Sequence, residues 1–150
     1  MDLSKFTLKA QEIINSAFNK AMEKQHQYLR PEHVLSALIE DKGSIANTVF
    51  LKLGFNTKDL EKQIAEELNK IPSVEGANQN PYASAELNRV MAALPKISQE
   101  FGDEYIATEH ILLALSKEKP LSEIIRKQGL SYNDLKVAVT ECRGGQKADS

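Results

Sequence analysis

The sequence has little of several residue types, and each shortage excludes a class of protein. Among 150 residues there is one cysteine, Cys142, and no tryptophan. A lone cysteine excludes an internal disulfide and a cysteine-based zinc cage, and next to a polar RGGQ stretch it makes a poor nucleophile. The chain has no apolar run long enough to cross a membrane and no signal-peptide pattern at its start, so we expect a cytoplasmic protein.

Neither sign of charge dominates the chain. Its 19 basic and 21 acidic residues give a formal net charge of −2, and the lysines and arginines are scattered rather than striped. We therefore expect neither nucleic acid nor a membrane surface as a partner. An apolar fraction of 41% and a charged fraction of 27% fit one soluble globular domain with a sizeable core.

Glycine and proline are scarce, with seven and five residues, and the apolar spacing is helical almost throughout. Thr7 and Ser84 have the position and chemistry of N-caps for two long helices. Pro95 lies inside the apolar stripe of the second of these helices. It removes the backbone hydrogen bond to the Met91 carbonyl, so we predict a single kinked helix there.

A nine-residue phrase occurs twice, as RPEHVLSAL from Arg30 and as ATEHILLAL from Ala107. Subtracting the histidine positions, 33 from 110, gives a shift of 77 between the copies. Two later segments also match, GFNTKDL and GLSYNDL, and each carries a helix cap with a hydrophobic staple. A unit used twice predicts one closed domain in which each half buries the apolar face of the other.

The predicted fold class is therefore all-α, with two pseudo-symmetric four-helix repeats packed as a single domain. Repeat one covers about 6–70 and repeat two about 83–142, joined by the Pro-, Gly- and Asn-containing linker 71–82. The whole domain is predicted to span 1–142. The polar, glycine-rich residues 143–150 are predicted to begin a linker to further modules.

Two pairs of repeated polar residues are candidates for function. Glu32 and Glu109 each fall in the first turn of a helix, where the helix dipole favours a carboxylate. Alternatively, one or both face the crease between the repeats and bind polar or cationic groups. His33 and His110 have no further metal ligands at helical spacing, so we predict packed, hydrogen-bonded histidines and no metal site.

Apolar residues at the edges of helical stripes are candidates for a partly exposed groove. On the fifth helix, Ile97 lies at such an edge with Ala93 beyond it. On the first helix, Phe18 and Met22 lie at the edge. Most of this surface is expected to be ordinary packing, but a groove of this kind suits the recognition of unfolded chains.

The doubled EH-x-L-x-A-L phrase, together with KIPSVEG in the linker and RGGQ near the end, resembles the N-terminal domain of ClpB-type AAA+ disaggregase chaperones, in the Clp N-domain family. The resemblance covers essentially all 150 residues. It implies a substrate-recruiting domain that binds unfolded or aggregated polypeptide. The full-length protein would be a heat-shock, stress-response ATPase that forms a homohexamer and cooperates with the DnaK system.

The resemblance also implies site residues. It points to a polar trio of Thr7, Asp103 and Glu109 that lines a peptide groove, with Ile97 supplying apolar contact. Glu32 is a possible additional polar contact. Each of the trio also has a structural explanation: Thr7 as an N-cap, Asp103 as a loop residue after a helix stop, and Glu109 as a first-turn carboxylate.

Two other functions agree less well with the sequence. In a ClpC-like mode, Glu32 and Glu109 would bind adaptor proteins or arginine-phosphate tags, but Pro31 replaces the threonine usual in ClpC-like repeats. Enzymatic activity is not expected, because the chain has no G-x-x-x-x-G-K-[ST] phosphate loop and no nucleophile with a base in reach. We predict no cofactor in this chain, with ATP and Mg²⁺ bound by ATPase modules outside it, and an isolated domain that is monomeric.

Overall fold

The structure, a computed structural model, describes residues 1–76 and 80–144. Within these ranges, eight α-helices and two short strands follow one another along the chain. They are α1 (Leu8–Glu23), β1 (Tyr28–Leu29), α2 (Pro31–Glu40), α3 (Ile45–Lys52), α4 (Thr57–Asn69), β2 (Tyr82–Ala83), α5 (Ala85–Glu100), α6 (Thr108–Leu115), α7 (Leu121–Lys127) and α8 (Tyr132–Arg143). The all-α fold class is confirmed.

Side-chain caps fix where the helices begin, and they repeat between the two halves. The Thr7 hydroxyl accepts a hydrogen bond from the Ala10 amide, and the Ser84 hydroxyl accepts one from Leu87, both at 3.1 Å. The Asn56 side chain caps α4, and Ser131 forms a reciprocal capping box at the start of α8. These caps satisfy amides that the first helical turn leaves unpaired, as the sequence predicted.

The core is built around α2 and α6, the two helices that contain the repeated phrase. Both are apolar on nearly all sides and almost completely buried, as expected for a helix enclosed by others. The first helix of each repeat packs on the second, and α2 and α6 also contact each other across the centre. The α3 helix then packs against α8 of the other repeat, so the two halves share one core.

Short parallel pairings tie the start of each repeat to the other repeat. The strand before α2 pairs with the strand before α5, with Tyr28 opposite Tyr82. At the symmetry-related place, Phe6 before α1 bridges Ile106 before α6. The Ile106 amide donates to the Lys5 carbonyl at 2.8 Å. The sequence did not predict these pairings, because two-residue strands carry no detectable alternation of polar and apolar residues.

The predicted domain ended at 142, but α8 continues through Arg143, whose side chain is buried. The rest of the predicted linker, 145–150, and the centre of the inter-repeat linker, 77–79, lie outside the described residues. As predicted, α5 runs without interruption through Pro95, which lies on its exposed side.

Candidate functional site

An apolar opening on the described surface lies where the Phe6–Ile106 bridge meets α5. It has a volume of about 500 Å³. Phe6 and Ile106, which are largely buried, line it together with the partly buried Met91. The exposed Asn88 and Pro95 lie on the same face of α5, at positions i−3 and i+4 from Met91. We call this opening the α5 groove.

The opposite wall of the α5 groove is formed by the first residues of the chain. Met1, Asp2, Ser4 and Lys5 are exposed and line the groove from that side, and Ala83 lies near one end. The groove therefore combines an apolar floor with polar groups along its rim, the usual composition of a ligand site.

The two repeats differ in side-chain size and exposure at the position of Pro95. The shift of 77 pairs Pro95 with Phe18 of α1. Phe18 is only partly exposed because its ring packs against the core. Pro95 is smaller and stays exposed, so it leaves space above Met91 where a phenylalanine would cover the surface.

Thr7 adjoins the α5 groove through its backbone. Its amide donates to the Ile106 carbonyl at 2.9 Å, and its hydroxyl caps α1. The cap prediction is confirmed. The residue is partly exposed, so its predicted contact with substrate stays a prediction.

Asp103 lies beneath the surface in a charged corner. Its carboxylate accepts from both terminal nitrogens of Arg143, at 2.6 and 2.8 Å, and from Nε2 of His110 at 2.7 Å. The side chain of Asp103 has 0% exposure and that of Arg143 6%. The hydrogen bond to Asp103 raises the pKa of Arg143 above its ordinary value. Internal donors thus occupy the Asp103 carboxylate, and the predicted contact between Asp103 and substrate stays a prediction.

Glu109 lies at the edge of this corner, in the first turn of α6 as predicted. Its side chain is 13% exposed, and one carboxylate oxygen is 3.7 Å from Nε of Arg143. The arginine thus faces two carboxylates, one fully buried and one at the surface. Contact between Glu109 and substrate stays a prediction.

The protonation of His110 follows from its hydrogen bonds. Nδ1 accepts from the Ala107 amide at 2.8 Å, so the ring proton is on Nε2 and is donated to Asp103. Burial lowers the pKa of His110 despite the neighbouring carboxylate. The prediction of packed, hydrogen-bonded histidines is confirmed for His110, and equally for His33, whose Nδ1 accepts from the Arg30 amide at 2.9 Å.

The first repeat contains an uncharged version of the same corner. His26 stands at the position of Asp103, and its Nδ1 lies 2.8 Å from Nε2 of His33. Leu68 stands at the position of Arg143, at the shift of 75 set by the matching fourth helices. Burial lowers the pKa of His33 to about 4, so this pair is neutral at pH 7.

The predicted apolar groove residues do not meet in the α5 groove. Ile97 is 1% exposed and packs in the core, and its predicted contact with substrate stays a prediction. Ala93 and Phe18 are partly exposed and pack against the core, and Met22 is 37% exposed on α1. None of the four is among the described residues that line the groove.

Glu32 lies in a separate cleft of about 250 Å³. Burial raises the pKa of its carboxyl group above the ordinary range. Its neighbours in the cleft are mostly charged: Arg30, Glu67, Glu86, Lys119 and Glu123, with Pro120.

Residues 1–76 and 80–144 contain no group of three or more His, Cys, Asp or Glu side chains arranged to hold a metal ion. No described helix is both long and apolar enough to cross a membrane.

The sequence missed the residues that build the α5 groove. Phe6 and Ile106 gave no signal because a parallel bridge between distant segments creates their neighbourhood. In the sequence, Met91 and Pro95 are marked only by the backbone hydrogen bond that proline removes from the helix. Aligning the two repeats would have pointed to this region, because Pro95 stands where the first repeat has Phe18. A small residue in place of a large apolar one leaves a depression in the surface.

The repeat and its fold match known proteins. The family model described as "Clp repeat (R) N-terminal domain" matches residues 5–141. The chain belongs to this Clp N-terminal domain family. Among curated relatives, the chaperone protein ClpB of Bacteroides thetaiotaomicron is 33% identical over 151 residues, which is 100% of this chain and 17% of the relative. ClpB of Lactococcus lactis is 36% identical over 154 residues, 100% of this chain and 18% of the relative.

Solved Clp N-domains have the same fold. The Hsp104 N-terminal domain of Candida albicans matches with a TM-score of 0.86 and 31% identity, covering 98% of this chain and 97% of that one. A ClpV N-domain in complex with a VipB peptide matches with a TM-score of 0.78 and 18% identity, covering 100% and 96%. The chain therefore corresponds to the N-terminal domain of ClpB-type AAA+ proteins. It spans less than a fifth of the length of these curated relatives.

Proposed function

We propose that this domain recruits unfolded polypeptide to a ClpB-type disaggregase motor, and that the α5 groove is where the polypeptide binds. The observation that carries the proposal is an open groove in which Phe6, Met91 and Ile106 form an apolar floor beneath a polar rim. An unfolded chain exposes apolar side chains that a folded one hides, so a groove of this composition discriminates between the two states.

The comparison with relatives supports a peptide as the occupant. The N-domain of ClpV, which shares this fold, has been solved with a VipB peptide. We extend the proposal to the full-length protein: a hexameric AAA+ ATPase that works in the cytoplasm with the DnaK system under heat stress. In that arrangement, ATP and Mg²⁺ bind to the ATPase modules and the domain described here only supplies substrate.

The groove predicts weak and general binding. A substrate that places one apolar side chain on the groove floor and makes a few polar contacts at the rim should bind with a dissociation constant on the order of 10–100 µM. Binding should depend only partly on salt, because apolar burial is not screened by ions. Thr7, which adjoins the groove, and Glu109, at the edge of the charged corner, are both partly exposed and remain candidates for polar contacts with substrate.

Titration with a permanently unfolded protein, such as reduced and carboxymethylated lactalbumin, tests the proposal. Backbone amide shifts should move at Phe6, Met91 and Ile106. Met91→Glu should abolish these shifts, because a carboxylate in the apolar floor would lose its hydration on binding. The matched control is Val137→Glu on α8, where the native side chain is 49% exposed and lies outside the groove. Equal binding by both variants would exclude this groove.

The acidic cleft around Glu32 favours a second candidate, the ClpC-like capture of cationic or arginine-phosphate groups or of an adaptor. In that mode the two repeated glutamates act as equivalent sites. The structure makes them unequal, since Glu109 faces Arg143 whereas Glu32 shares its cleft with other carboxylates. A peptide containing phosphoarginine should therefore bind no more tightly than its unmodified form. A preference lost in Glu32→Gln would favour this second function.

A further inference from the structure

We infer that Pro95 makes the Met91 carbonyl a main-chain acceptor on the wall of the α5 groove, so that the groove selects extended segments by a backbone N–H as well as by an apolar side chain. The inference rests on the proposed function of the groove and goes one step further. It names which backbone group of the substrate is bound and which group of this domain binds it.

Proline lacks the backbone N–H that other residues donate within a helix. In an α-helix the carbonyl of residue i accepts from the amide of residue i+4. Pro95 stands at i+4 from Met91 within α5 and has no amide hydrogen. The Met91 carbonyl therefore lacks the donor that the helix supplies to its neighbours.

Met91 and Pro95 lie on the same side of α5, at the groove. Met91 and Pro95 both line the α5 groove, and Pro95 is exposed. The helical hydrogen bond that proline removes would thus have joined two residues that both line the groove. Asn88, one turn earlier on the same face, adds a side-chain amide that both donates and accepts.

The nature of the ligand follows from this arrangement. In a segment already folded into a helix or sheet, the backbone amides donate hydrogen bonds within that structure. An extended segment can place an apolar side chain over Met91, Phe6 and Ile106 and still donate a free N–H to the Met91 carbonyl. The acceptor therefore adds selectivity for unfolded chain without requiring any particular sequence.

The first repeat lacks the corresponding feature. Phe18 stands where Pro95 does, and unlike proline it has an amide that can donate to the carbonyl four residues earlier. Its ring also packs against the core. The missing amide therefore has no counterpart at the matching position of the first repeat.

The test combines a variant of the domain with a variant of the ligand. The probe is a fluorescein-labelled octapeptide of alternating leucine and serine, with a set of analogues in which one amide at a time is replaced by an ester, which removes a single N–H. Affinities are measured by fluorescence anisotropy with the wild-type domain and with Pro95→Val, which keeps an apolar side chain but restores the amide. Ala92→Val, on the exposed side of the same helix, is the matched control for a β-branched substitution.

For the wild type, at least one ester position should weaken binding about fivefold, the effect of one net hydrogen bond. Pro95→Val should bind the all-amide peptide about fivefold more weakly and lose its sensitivity to that ester, while Ala92→Val behaves as wild type. Unchanged affinity in Pro95→Val, or the same ester sensitivity in both proteins, would overturn the inference. Met91→Glu separates the two levels: if it abolishes binding while Pro95→Val has no effect, the groove stands and only the carbonyl role fails. If neither variant affects binding, the proposed function fails as well.

Discussion

The corner that contains Asp103 and Arg143 is charged in the second repeat and uncharged in the first. In the second repeat, a carboxylate and a guanidinium pair beneath the surface with His110; in the first, His26 and Leu68 fill the same positions without charge. The sequence revealed the histidines, because they belong to the repeated phrase. It did not reveal the ion pair, because the partners lie 40 residues apart and Arg143 resembled the start of a linker.

The buried pair predicts a large loss of stability in Asp103→Ala. Removing the carboxylate leaves the Arg143 guanidinium buried and uncompensated, which costs about 3–5 kcal/mol. Urea unfolding measures the free energy change directly. In the double variant Asp103→His with Arg143→Leu, which reproduces the uncharged corner, most of the loss should be recovered. A double variant no more stable than Asp103→Ala would contradict this. Glu141→Ala, which removes a surface pair with Lys52, should change little.

The neutral histidines predict a loss of stability in acid. The pKa of His33 is about 4 in the folded domain, against 6.5 for an ordinary histidine. Between these values the unfolded chain binds a proton that the folded domain does not. The free energy of unfolding should therefore fall as the pH drops from about 6.5 to 4, by up to about 3 kcal/mol. Burial lowers the pKa of His26 and His110 in the same direction.

Melting temperatures measured from pH 7 to pH 4 check this expectation. The matched comparison is His33→Gln, which cannot gain the proton. Its stability should be lower at pH 7 but should fall less steeply on acidification. Parallel pH profiles for the two proteins would show that His33 does not control the acid response.

At the scale of elements, the sequence predicted the helices well and their ends closely. Caps such as Thr7 and the Ser131–Asp134 box are local signals, readable from adjacent residues. The strands β1 and β2 are too short for a local signal and exist only because two distant segments meet. The groove escaped prediction for the same reason, since it lies between elements rather than on one of them.

The α5 helix predicts a stability gain in Pro95→Ala. The residue is exposed, so alanine creates no cavity, and it restores both the amide and a favourable helix propensity. We expect a gain of about 1 kcal/mol or more in thermal or urea unfolding. A loss of several kcal/mol would mean that the local geometry imposed by Pro95 is required for packing. With the role inferred above for the Met91 carbonyl, the more stable variant should also bind peptide less well.

At the scale of the whole molecule, the halves depend on each other. The α2 helix contacts α6 across the centre, and α3 packs on α8. We therefore expect a fragment of residues 1–80 to lack a cooperative thermal transition, because the apolar faces of α2 and α3 lose their cover. Calorimetry of that fragment tests this. A sharp melt of the fragment alone would show that one repeat suffices for a core.

The crossed pairings have a consequence for synthesis on the ribosome. The strand β1 cannot pair until Tyr82 and Ala83 have been synthesised. Phe6 cannot form its bridge until Ile106 has been synthesised, which is later still. Both contacts join residues far apart in sequence, which slows folding. The nascent first repeat must therefore leave the exit tunnel with its apolar faces uncovered, and it stays exposed to other chains until most of the second repeat has followed. A domain proposed to capture unfolded polypeptide is thus, during its own synthesis, a polypeptide of the kind it would capture.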